Sequence, residues 1–175
     1  MKKVVLLTIF AALMMISSGA VAQTTANGTL TVTATVNGSI QLVFNTHTGG
    51  VALGNPGTNA ATLDFGVVSA FGVIPGTITR TTTASNFTVS TPVDVMVSKT
   101  NSASANYVLT AKLAAADTTN TWTVGASGNI NSVQTLTSTG AYGSNLNFPV
   151  AITIPFTTAS GTVISGTINY AATAN

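Results

Sequence analysis

Acid–base catalysis needs titratable side chains brought together in a cleft, and this chain of 175 residues carries one His, no Cys and three acidic residues. His47 stands in THTGG, Asp64 beside Phe65 in TLDFGVVS, Asp94 inside VDVMV, and Asp117 in a polar turn. A Ser, His47 and one Asp would form a hydrolytic triad if folding converged them, because triads are defined by geometry and not by chain order. No G-x-S-x-G elbow accompanies them. Alternation along the chain points Asp64 and Asp94 away from their apolar neighbours, so the expectation is solvated carboxylates and a solvated loop His. Neither a His pair nor a carboxylate cluster has the spacing of metal ligands. The Gly-rich pieces at 49–50 and 54–57 lack the Lys and the strand-to-helix context of a phosphate loop. The chain therefore reads as a non-enzyme without a cofactor or a metal.

Aromatic rings are the other chemistry available. Trp122 and Tyr142 are candidate glycan contacts, since exposed rings stack on sugars, and with them a self-contained binding module stays open as an alternative function. Against it, Trp122 alternates with Thr121 and Thr123 in TWTV, which points the indole to the core.

The elements that would position these residues begin after residue 22. Residues 1–22 have Lys2 and Lys3, then an apolar run, then Ala20-Val21-Ala22 before Gln23, the anatomy of a cleaved secretion signal. The run is shorter than the roughly 20 residues a spanning helix needs. No later stretch reads as a membrane span, so the expectation is export to the periplasm and then to the cell surface or the medium of a bacterium. Without the two leader lysines the remaining bases, Arg80, Lys99 and Lys112, balance the three acids. Such neutrality excludes the basic footprint of a nucleic-acid binder. Residues 23–175 suit one domain, and the absence of Cys means that packing and sheet hydrogen bonds must hold it without disulfides.

Thr is the commonest residue, Ser, Asn, Gly, Ala and Val supply much of the rest, and apolar residues recur at period two, the signature of strands. The expected strands are 29–36, 39–44, 62–69, 77–83, 87–98 (divided near Pro92), 107–113, 121–124, 130–136, 147–156 and 162–171. Asn37-Gly38 suits a tight hairpin between the first two. Pro149 and Pro155 place their strand at an edge or break it. Residues 109–119 have some helical character, and the reading favours a strand to Leu113 followed by a loop. The expected fold is an all-β, immunoglobulin-like antiparallel sandwich of about 7–10 strands.

Three stretches carry a resemblance: TLTVTATV at 29–36, the L-D-F-G of Leu63, Asp64, Phe65 and Gly66, and the closing SGTVISGTINYAA. They are similar to the spore coat protein U family and the related archaic chaperone-usher pilins, although this chain lacks the cysteine commonly found after their first strand. The resemblance implies a sandwich completed by a strand from the next subunit, hence a non-enzymatic, fimbrium-like structural subunit active in adhesion. Its partners would be other copies or related subunits and a periplasmic chaperone. The candidate assembly strand is Leu30, Val32, Ala34 and Val36, which suits either donation to a neighbour or an intramolecular first strand.

Overall fold

The computed structural model describes residues 27–175; the expected secretion signal falls in 1–26, outside the described residues. The described chain comprises an irregular, exposed stretch, 27–35, and a compact body, Val36–Asn175. The body has eight strands: β1 (Ser39–Thr46), β2 (Thr79–Thr82), β3 (Asn86–Thr100), β4 (Tyr107–Leu113), β5 (Thr121–Val124), β6 (Gln134–Gly140), β7 (Asn145–Pro155) and β8 (Ile168–Ala174). There is no helix among the described residues. All pairings are antiparallel. One sheet runs β1-β3-β7-β5, with β2 also on β3, and the other runs β6-β4-β8. Val89, Val93, Trp122, Ile152 and Ile154 of the first share a buried cluster with Ala111 and Leu113 of the second, so the two sheets form a sandwich.

β3 is the spine. Phe87, Val89, Thr91, Val93, Val95 and Val97 all point inward and are buried, and the residues between them are half-buried. Burying each Val or Phe stabilises the fold by about 1.5–3 kcal/mol. The strand does not break at Pro92, and β7 is not an edge: it lies between β3 and β5 despite Pro149 and Pro155. The reason lies in the register. Pro92 and Pro149 are opposed, and neither has an N–H to give the other. Their nitrogens therefore face the outer flanks, where no ladder partner waits. On the flank of Pro92, β2 begins with Thr79 opposite Ser90 and β1 ends with Thr46 opposite Val93. On the flank of Pro149, β5 stops opposite Val150.

The gap between β1 and β2 is filled by the turn at Gly50 and Val51. A side chain at Gly50 would collide with the Pro92 carbonyl oxygen, so only glycine lets the turn come this close. The Val51 N–H donates to Thr91 Oγ1 over 2.8 Å, and that hydroxyl donates to the Thr77 carbonyl over 2.9 Å. Thr91 is fully buried, yet its hydroxyl is used twice.

Several expected elements are placed differently. Residues 29–36 form no strand, and Asn37-Gly38 makes no hairpin: Gly38 lacks the positive φ that a type I′ turn requires. β1 instead pairs over its whole length with residues 93–100 of β3, whose Val93, Val95 and Val97 are buried in the core. Residues 62–69 are a loop joined to the rest of the ladder only by a bridge between Thr62 and Gly54. Gly66 turns it with φ 64°, and its N–H donates to Asp64 Oδ1 over 2.7 Å. Leu63, Phe65 and Val68 still pack on the core, which accounts for the strand-like alternation. The sixth strand is shifted to Gln134–Gly140, because fully buried Ile130 is a plug that bonds through its backbone to Leu113 and Trp122. The last strand starts only at Ile168.

Replacing Thr91 by Val keeps the shape but strands the Val51 N–H and the Thr77 carbonyl. Urea unfolding of Thr91→Val is expected to show a loss of about 1–3 kcal/mol.

Candidate assembly edge

The residues with catalytic potential each have a hydrogen-bond partner within the fold. His47 Nδ1 lies 2.9 Å from Asp94 Oδ1, which also accepts from Asn147 Nδ2 over 3.1 Å. Asn45, Asp94 and Asn147 are neighbours across β1, β3 and β7, so His47 and Asp94 belong to a polar row on the outer face of the larger sheet. Neither is simply solvated, as alternation alone suggested; the pairing across 47 residues could not be read from the chain. Asp64 caps its own loop, and Arg80 donates to the carbonyls of Ser69 and Gly72 over 2.9 and 2.8 Å. No group of three or more potential metal ligands occurs among the described residues.

Asp117 is the most heavily engaged carboxylate. Oδ1 accepts from the backbone N–H groups of Thr119 and Asn120, each 2.9 Å away, and Oδ2 accepts from Asn120 Nδ2 over 2.9 Å and Trp122 Nε1 over 2.8 Å. Asn131 clasps the Asp117 backbone from both sides, accepting its N–H and donating to its carbonyl. Burial by itself would raise the Asp117 pKa, but the bonds from Asn120, Trp122 and Thr119 outweigh it and hold the carboxyl well below the usual range. The visible signal is Asp117-Thr-Thr-Asn120, an Asp followed by the two N–H groups it can cap.

This anchoring settles Trp122 in the core, at 5% exposure, with Leu113 and the backbone of Gly166 against it. Its ring offers no face to a sugar. Tyr142 is half-buried: its ring packs 5.2 Å from that of Tyr107, Lys99 Nζ lies 4.9 Å from its centroid, and its hydroxyl donates to the Asn106 carbonyl over 3.0 Å. The two candidate glycan contacts are thus absorbed into packing and do not form a joint platform.

One incompletely covered apolar stretch lies along one side of the sandwich. The inward row of β4, Tyr107, Leu109, Ala111 and Leu113, is fully shielded. The inward row of its neighbour β8, Ile168, Tyr170 and Ala172, is only half-buried, and so are Ile40, Leu42 and Phe44 of β1 in the facing sheet. The two rows meet at Phe44 and Tyr170, whose rings sit 5.0 Å apart at 71°, an edge-to-face contact. β8 pairs with β4 on one side and with no strand on the other among the described residues. The β1 edge is partly closed, because Phe44 exchanges backbone bonds with Gly57 and Thr58. β5 is different, since Trp122 and Val124 are buried; β6 brings chiefly Leu136 to the interior. Along β8 a strand edge that is free over its whole length among the described residues coincides with an unfinished apolar seam. Of its six side chains only Tyr170 is ionisable, and burial pushes its phenol up, so it stays neutral.

Of the sequence-derived assembly residues, Leu30, Val32 and Val36 are 88, 80 and 72% exposed, and Ala34 is exposed too. They have the alternation of a strand and no pairing. Leu63, Asp64, Phe65 and Gly66 lie in the core-capping loop and do not line the seam.

Because the folded-state pKa of Asp117 is depressed, its contribution to stability is present above the unfolded value of about 4 and is lost as pH falls below it. Asp117→Asn must set its amide NH2 against two of the four donors, and is expected to lose about 1.5–3 kcal/mol at pH 7. It should also flatten the acid limb of the stability curve, as measured by urea denaturation between pH 7 and pH 3. No family model, curated protein or solved structure matches the chain.

Proposed function

We propose that this chain is a secreted structural subunit that joins other copies by β-strand addition, the exposed segment 29–36 of one copy completing the sandwich of the next. One observation carries the reading: the free edge of β8 runs beside a half-covered apolar seam, while the chain itself carries an unpaired alternating segment. An unpaired edge alone would be a liability that exported proteins blunt with charge, Pro or a bulge. β8, INYAATA, has none of the charge or Pro.

The strand order supports the same reading. In an immunoglobulin-like sandwich, strands A, B, E and D form one sheet and C, F and G the other. β1-β3-β7-β5 follows the A-B-E-D order, β4 and β8 take the places of C and F, and β6 adds a strand beyond β4. The place of G, beside β8, is empty among the described residues. In strand addition the main chain supplies ladder bonds and alternate side chains fill the seam, each large apolar one contributing about 1.5–3 kcal/mol when fully covered. Neutrality serves the same end, since copies with balanced charge do not repel. Export, by the features of residues 1–22, puts this assembly outside the cytoplasm, as a fibre or surface layer.

The test is to purify the chain from residue 23 onward and follow its mass by light scattering. It is expected to form multimers, and deletion of 27–36 should leave a monomer. A synthetic peptide of residues 27–38 should raise the melting temperature of that monomer in a concentration-dependent way. A chain that stays monomeric at high concentration, with a melting temperature indifferent to the peptide, would overturn the proposal.

A further inference from the structure

If strand addition is the mode of assembly, the register of the added strand is encoded in the sizes of its side chains. We infer that segment 29–36 of one copy enters antiparallel to β8 of another with Ala34 opposite Tyr170.

The inference rests on the strand already paired with β8. In that ladder Tyr107 faces Ala174, Leu109 faces Ala172, Ala111 faces Tyr170 and Leu113 faces Ile168. The one small residue of the inward row of β4, Ala111, stands at the one large ring of β8. Cross-strand neighbours on one face lie about 4.5–5.5 Å apart between Cβ atoms, so a large residue beside Tyr170 has no room. The inward row of β4 therefore reads large, large, Ala, large. Segment 29–36 reads Leu30, Val32, Ala34, Val36, the same order at the same spacing and in the same chain direction. Set antiparallel on the free side of β8, Leu30 faces Ala174, Val32 faces Ala172, Ala34 faces Tyr170 and Val36 faces Ile168. β8 would then lie between two strands of matching profile.

Other placements break the match. A shift of two residues brings Val32 or Val36 against Tyr170, which Phe44 already braces from the opposite sheet. A shift of one turns the Thr residues inward. A parallel strand with Ala34 at Tyr170 sets Leu30 against Gly166, beyond the start of β8. Tyr170 is thus the residue that reads the incoming strand, and Ala34 the residue that is read.

The chain has no cysteine, so introduced pairs report the register without background. In the inferred register Thr33 faces Ala171 on the outer side of the sheet. Copies carrying Thr33→Cys are mixed with larger, tagged copies carrying Ala171→Cys, Asn169→Cys or Thr173→Cys, then oxidised, and the mixed disulfide is read on a non-reducing gel. The Ala171→Cys mixture is expected to cross-link and the other two are not. Preferential cross-linking to Asn169→Cys or Thr173→Cys overturns the register while leaving strand addition standing. Absence of any mixed disulfide, with multimers also absent, overturns both. As a second measurement, Ala34→Leu in the 27–38 peptide is expected to weaken its binding to the shortened chain by at least about tenfold. Val32→Leu should do so much less, and equal effects of the two would overturn the register.

Discussion

The pairing of β3 with its neighbours is the constraint from which the rest of the body follows. Every strand of the larger sheet hangs on β3 directly or through β7, and the inward row of β3 supplies much of both buried clusters. A buried backbone must have its hydrogen bonds met, and the two prolines at the middle of the sheet meet this rule by facing each other. Their shared blank in the ladder fixes where β1 must end, where β2 must begin and where β5 must stop. Thr91 then ties in the loops on that flank, accepting from the Val51 N–H and donating to the Thr77 carbonyl. Without disulfides, these matched vacancies and bonds hold the sandwich in register.

The second sheet obeys a looser version of the same rule. β4 is its centre and is fully covered, while β8 is bonded on one side only. The larger sheet has β5 at one end, and at the other the bonds of Phe44 to Gly57 and Thr58 close part of the β1 edge. The imbalance is local: one strand edge, six half-covered side chains, and a hydrogen-bonding row with nothing opposite it. The proposed assembly needs no further chemistry than this.

Legibility from the sequence tracked how local the governing physics was. β4 and β5 were read to the residue, because period two and flanking turns sufficed for TWTV and YVLTAKL. The prolines misled, because whether a missing N–H matters depends on what lies across the sheet, which a single strand does not disclose. The L-D-F-G stretch misled for a related reason: a loop that covers a core also alternates inward and outward residues. Asp117 looked like a turn residue and is one, yet its tie to Trp122 requires the indole to fold back over five residues. The seam on β8 was beyond reading, since half-burial of Ile168, Tyr170 and Ala172 comes from what is not beside them. The small-residue pattern shared by β4 and 29–36 was in plain sight and acquires meaning only once Ala111 is found opposite Tyr170.

The way the few charges are spent has a consequence for where such a protein can work. Asp64 and Arg80 are turned on their own backbone neighbourhood, Asp94 on His47 and Asn147, and Asp117 on its cap. The exterior that remains is chiefly hydroxyls, amides and methyl groups. Counter-ions have little there to screen. In the proposed assembly, contacts between such subunits would carry little dependence on ionic strength.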